Sequence, residues 1–203
     1  QTAYAAADMP FYALKNYHGV GLQFMNDKLG LFAHTRLAAQ YAYKFRLFGG
    51  QMSAGLQAGL ISEKFDGSRA DLGDSRDPAF SSSQLSGNVV DLGAGIYYTL
   101  KEFYAGLAVQ HVTAPLVSLG ETNELQIDRT YYLSGGYNIK LRNPFLTIKP
   151  SMLVKTDWVG WRADVTGRLV YTHDDKLLYG GLSYSPTNSV TMLLGGSFHG
   201  IVL

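Results

Sequence analysis

Between Trp161 and Thr172 the residues alternate so regularly that an extended strand with two unlike faces is the natural reading. Trp161, Ala163, Val165, Gly167, Leu169 and Tyr171 share one face; Arg162, Asp164, Thr166, Arg168, Val170 and Thr172 share the other. Successive side chains of a strand point to opposite sides, so a period of two separates an apolar face from a wet one. The wet face carries three charges in mid-strand, Arg162, Asp164 and Arg168. A soluble sandwich turns such a face to bulk solvent. A membrane barrel turns it to a polar lumen and gives its apolar face to lipid.

The same rhythm recurs along the chain. Candidate strands lie near 1–9, 18–26, 34–47, 51–63, 89–100, 103–113, 128–140, 146–156, 161–172, 177–185 and 189–200, about eleven by pattern. Met9 to Lys15 leaves room for one irregular turn, and helical periodicity is absent. Most of these segments exceed the soluble mode of ~5–6 residues and suit a tilted span needing ~9–11. Tight turns at Phe48-Gly49-Gly50, Lys101-Glu102, Leu141–Pro144 and His173–Asp175 alternate with longer connections at 27–33, 65–88 and 114–127. Short turns on one side and long loops on the other are the asymmetry of an outer-membrane barrel. Phe45, Tyr98, Phe103, Phe145 and Tyr171 fall beside the short turns, and Tyr131, Trp158, Trp161 and Tyr184 near the opposite ends. Two aromatic belts fit the two headgroup levels of a bilayer. Strand propensity alone also enriches Tyr and Phe.

Composition narrows the class. Only 16% of the 203 residues are charged, against a usual ~25% for soluble domains. Net charge is +1 and no basic run occurs, which excludes nucleic acid as an expected partner. No Cys is present, so neither disulfides nor thiolate metal sites arise. No apolar run is long enough for a transmembrane helix. The expected fold is therefore all-β: an antiparallel up-and-down transmembrane β-barrel in one domain, residues 1–203. Both ends lie in strand-like sequence, and eleven is odd, whereas bacterial single-chain barrels have even strand numbers. The expectation is part of a larger even-stranded barrel, cut at both ends. In-strand glycines such as Gly135, Gly136, Gly180 and Gly181 read as curvature or room in the lumen.

The wet faces collect Gln40, Lys44, Arg46, Gln57, Asp91, Gln110, Lys149, Lys155, Arg162, Asp164 and Arg168. Either they hydrate and pair with one another, or they select a solute or hold a peptide. Cations outnumber Asp, so such a lumen favours anions or acidic segments. The five His show no metal-ligand spacing. The Asp-rich stretch 66–78 lacks the spacing and closing Glu of an EF-hand. Neither G-x-S-x-G nor a P-loop occurs, so no catalytic residue, metal or cofactor is expected.

Six phrases carry more than barrel rhythm. They are Gly19-Val20-Gly21-Leu22, Asn26-Asp27-Lys28-Leu29-Gly30, Tyr41-Ala42-Tyr43, Asp77-Pro78-Ala79-Phe80, Lys149–Lys155 and Leu178-Tyr179-Gly180-Gly181. In order and spacing the chain resembles the PorP/SprF family of Bacteroidetes outer-membrane proteins over about residues 10–200. It lacks the D-P-x-F-S-Q-Y and N-P-A-Y-A-G phrases with which members usually begin. The resemblance implies an outer-membrane barrel of the type IX secretion and gliding-motility machinery. Implied partners are a secreted surface protein or adhesin with a C-terminal sorting domain, other components of the machine including lipoproteins, and outer-membrane lipid. No catalytic residues come with the family. If the long loops face outward, Asn26, Asp27, Gly30, Asp77 and Pro78 are candidates for partner contact, although all are also turn formers.

Four function classes follow. The first is a barrel that binds, or helps export and anchor, a secreted protein. The second is a passive porin or small-solute channel, which the polar lumen alone supports. An outer-membrane enzyme needs Ser, His and Asp converging at one rim. A soluble lipid-binding barrel needs the apolar faces turned inward.

Overall fold

The structure is a computed structural model that describes residues 1–66, 84–119, 123–174, 176–186, 189–198 and 201–202. No helix occurs among them. The strands are β1 (Thr2–Ala13), β2 (Asn16–Leu29), β3 (Phe32–Leu47), β4 (Gly50–Asp66), β5 (Gln84–Leu100), β6 (Phe103–Gln110), β7 (Leu116–Leu119), β8 (Asn123–Gln126), β9 (Thr130–Tyr137), β10 (Ile139–Lys140), β11 (Leu146–Thr156), β12 (Trp161–His173), β13 (Lys176–Ser185), β14 (Ser189–Phe198) and β15 (Ile201–Val202). One sheet takes all of them except β7 and β8, and its order follows the chain, with β10 joined to β11 beside the path. The ladders of β1 to β3 and of β9 to β15 are antiparallel. This is the up-and-down arrangement expected. The path ends at β1 and β15, and no ladder joins these ends among the described residues.

Two compact units make up the fold. One holds Gln1–Phe45, Ala54–Ala94 and Val109–Arg129; the other holds Arg46–Ser53, Gly95–Ala108 and Thr130–Leu203. In the first unit Val20, Leu22, Phe24, Leu37, Leu56, Leu60, Val90 and Leu92 are exposed. In the second, Leu133, Met152, Val165, Leu169, Leu182, Met192 and Leu194 are exposed. In the register of β2 with β3, Val20, Leu22, Phe24 and Leu37 share a face, and in that of β9 through β14, Leu133, Met152, Val165, Leu169, Leu182, Met192 and Leu194 share a face. Among the described residues only four hydrophobic side chains are buried, against six polar or charged ones. A water-soluble core has the opposite balance. A sheet that exposes its apolar face and buries charge is built for lipid on that face.

Exposed aromatic side chains lie near strand ends. Trp158, Trp161 and Tyr184 are exposed, and the Tyr131 ring meets Trp158 edge-on at 5.4 Å. Phe103, Phe145 and Tyr171 are exposed toward the short turns, with the Phe145 and Tyr171 rings 6.1 Å apart.

Three departures have local causes. The irregular turn allowed at Met9–Lys15 shrinks to Leu14-Lys15, both at positive φ (51° and 65°). The strand runs on to Ala13 because every residue from Thr2 onward finds a partner in β2. The segment 128–140 splits into β9 and β10 opposite Pro150. The β9 ladder to β11 stops at Ser151↔Gly136 and pairing resumes at Ile139↔Ile148. Proline has no N–H to give a central ladder, and the pairing breaks there. Finally, β6 ends at Gln110 because His111 takes φ 55°, so 103–113 is not one strand.

Close approach explains several in-strand glycines. A Cβ on Gly136 would collide with the Tyr104 ring and hydroxyl, and one on Gly195 with the Tyr179 ring and hydroxyl. Each tyrosine lies flat over a glycine of the neighbouring strand. At Gly167 a Cβ would meet nothing within 4 Å. Gly136→Ala is therefore expected to lower stability by about 1–3 kcal/mol through overpacking, while Gly167→Ala leaves it unchanged or slightly raised. Urea unfolding of the two variants from lipid vesicles checks this. Equal midpoints for both would remove the packing argument.

The β11–β12 turn is held by its own polar groups. The N–H groups of Gly160 and Val159 donate to Asp157 Oδ1 at 2.7 and 3.1 Å. These two bonds hold the Asp157 carboxyl below the usual aspartate range. A depressed folded value contributes stability above the unfolded value that is lost as pH falls through the folded one. Asp157→Ala is expected to be less stable than the wild type at pH 7, with the gap closing in acid. A gap independent of pH would refute the assignment to ionisation.

Candidate functional site

The polar face of the first unit buries a charge cluster. Asp91 of β5 is fully buried; its Oδ2 accepts from Arg36 Nη2 at 2.7 Å and its Oδ1 faces His111 Nδ1 at 2.9 Å. His34 of β3 pairs with Glu63 of β4, and Glu63 is buried too. Further along the face Gln40 donates to Gln23 and Gln57 at 3.1 and 3.0 Å. Alternation puts His34, Arg36 and Gln40 on one side of β3, so adjacent strands present their polar residues to one another.

The cover is the β7–β8 hairpin. Leu116↔Gln126 to Leu119↔Asn123 form its ladder. Val117 is 1% exposed, and a Cβ on Gly87 would meet Val117 Cγ1 and the Ser118 carbonyl oxygen at 2.5 Å. Gly87 shares the polar face of β5 with Asp91, two turns of the alternation away. Here glycine is required by the approach of another backbone. The hairpin base is fixed to β5 through Asp91–His111 and through the Val112 N–H donating to the Leu92 carbonyl at 3.0 Å. Arg129 Nε closes it by donating to the Val112 carbonyl at 2.8 Å. The stretch 114–127, expected as a longer connection, holds this hairpin. Its signal was present: two short runs with apolar Leu116, Val117, Leu119 and Leu125, between Pro115 and Ile127 and broken at Gly120.

In the second unit, β11 and β12 oppose Lys155 to Arg162 and Lys149 to Arg168. Arg162 Nε donates to Asp164 at 3.1 Å, and Asp164 also accepts the Ser185 hydroxyl. Lys155 Nζ stands 5.8 Å from the centre of the Tyr132 ring. The Thr166 and Ser183 hydroxyls share a bond of 2.7 Å.

The residues singled out by sequence thus divide. Asp91, Lys149, Lys155, Arg162, Asp164 and Arg168 all occupy polar-face positions of the register. Lys44 lies half-buried opposite Tyr17, Arg46 is exposed near the short β3–β4 turn, and Gln110 ends β6 half-buried. Asn26 donates to Thr35 Oγ1 at 2.8 Å, and Asp27 accepts from Thr2 Oγ1 at 2.7 Å. Gly30 takes φ 60° in the β2–β3 turn. These three therefore have local structural work. Asp77 and Pro78 lie outside the described residues. Arg36 and Glu63 are not candidates by pattern, and His34 and His111 enter only as two of the five histidines without metal-ligand spacing, because their pairing depends on strand register.

The family described as Type IX secretion system membrane protein PorP/SprF matches residues 1–203. The chain belongs to the PorP/SprF family. As a PorP/SprF member it is a membrane protein of type IX secretion, and its exposed apolar face is the surface such a protein needs. Comparisons with curated proteins and with solved structures returned no match. Among the described residues no group of three or more His, Cys, Asp or Glu is placed to hold a metal ion.

Proposed function

We propose that this PorP/SprF protein is an outer-membrane barrel that docks a secreted surface protein carrying a C-terminal sorting domain and helps export or anchor it. It works by binding, without covalent chemistry, and other secretion components, lipoproteins among them, complete the assembly. A gliding adhesin is one cargo of this kind. The observation that carries the membrane setting is the exposed apolar face with its aromatic belts. The family assigns that setting to type IX secretion. On this reading the longer connection that carries the β7–β8 hairpin faces a partner outside the cell, and Asn26, Asp27 and Gly30, at or beside the two-residue β2–β3 turn, are further candidates for contact.

The test is affinity purification of the tagged protein from its native outer membrane in mild detergent, with mass spectrometry of what accompanies it. Recovery of type IX components or of proteins with sorting domains supports docking. A partnerless barrel that conducts ions in planar bilayers supports the rival reading, a passive channel. Against that rival stands the β7–β8 hairpin, which lies over a polar face that a channel would leave to water.

A further inference from the structure

We propose that Lys149 and Arg168 form an oxyanion site on the polar face of β11 and β12, and that it takes a phosphate group. The two residues are direct partners in the ladder. Side chains so opposed have Cβ atoms about 4.5–5.5 Å apart, and like charges there destabilise the sheet. Neither makes a hydrogen bond or ion pair among the described residues, and Arg168 Nε is buried without an acceptor. The Arg168 side chain runs over Gly181: its Cγ lies 2.8 Å from where a Cβ of Gly181 would stand. Arg168 thus leans across a glycine that leaves it room.

The neighbouring level supplies the comparison. Lys155 and Arg162 are opposed in the same way, yet there Asp164 takes Arg162 and the Tyr132 ring faces Lys155. One level of the same two strands carries its own compensation, and the other has none among the described residues. Next to the uncompensated level lie Ser151 and Thr166, also ladder partners. Hydroxyls can donate to an anion. Two cations with hydroxyls beside them match a dianion better than a single carboxylate. Arg offers a planar fork and Lys a point charge, and both suit phosphate oxygens.

The test is thermal unfolding of the whole detergent-folded protein in phosphate and in chloride at matched ionic strength. Phosphate is expected to raise the wild-type Tm in a saturable way, as any ligand of the folded state does. Lys149→Met and Arg168→Met are expected to raise Tm in chloride, by removing repulsion, and to abolish the phosphate increment. Arg168→Gln serves should the methionine variant fail to fold, and Lys155→Met should keep the increment. Glycerol phosphate separates the two sources: an increment equal to that of inorganic phosphate assigns the site to esters, and a smaller one to free phosphate. An increment unchanged in the Lys149 and Arg168 variants, or absent from the wild type, would overturn the proposal. So would an increment from an aspartate-rich peptide but not from phosphate, which would give the site to polypeptide.

Discussion

Asp91→Asn is expected to destabilise the folded protein by about 3–5 kcal/mol, the usual cost of removing one partner of a buried ion pair. Asp91 is fully buried, and Arg36 is 8% exposed. Once the carboxylate is gone, Arg36 keeps its charge in a largely buried site. Its Nε already lacks a hydrogen-bond partner, so the loss falls on a group with little left to hold it. Urea unfolding from lipid vesicles measures the effect. The double variant Arg36→Met with Asp91→Leu should recover most of the loss, because apolar replacement of a whole buried pair is often neutral or better. Recovery would show that the cost lies in the stranded charge. Failure of the double variant to recover would show that the carboxylate's bond to His111 carries the stability. A second readout follows the hairpin. The chain has no Cys, so Val117→Cys provides a single thiol at a position 1% exposed. Maleimide should modify it slowly in the parent and faster when Asp91 is also changed, since Asp91 ties the hairpin base through His111. Equal rates would mean that the hairpin is held without Asp91.

Faces were legible in the sequence, and levels were not. Alternation assigns each residue from Trp161 to Thr172 to a side, and the register sets Arg162 and Arg168 opposite Lys155 and Lys149. Turn residues and aromatic spacing located the strand ends to within a few residues for the same reason: they act locally. The Arg36–Asp91 pair joins residues 55 apart in sequence, and His34–Glu63 joins residues 29 apart. Which polar residue meets which depends on register between strands, and a period of two carries no information about that. Pro150 shows the intermediate case. Its missing N–H was readable, but the break it causes falls on β9, a different strand. The β7–β8 hairpin stayed hidden because its short runs resemble loop sequence until Gly87 supplies the bare backbone on which they rest.

Leu169→Arg is expected to cost about 2–4 kcal/mol in lipid vesicles, the range for a cation on the lipid face near the bilayer midplane. Leu169 is 47% exposed and sits toward the middle of β12, opposite Ile148 on one side and Gly180 on the other. In a soluble protein a half-exposed leucine changed to arginine falls within the small range of surface substitutions. The two settings thus predict effects that differ by several-fold at one position. Depth gives a further check. Tyr171, two residues on along the same face, lies in the aromatic belt with Phe145. Arginine there should cost only about 0–1 kcal/mol for the charge, because the penalty fades toward the interface. Urea midpoints of the two arginine variants, each beside the matching alanine variant, separate charge from lost packing. A steep gradient from Leu169 to Tyr171 places lipid against this face, with Tyr171 nearer its edge. Flat, small effects at both positions would mean that water covers the apolar face, and the membrane-spanning reading of β12 would fall.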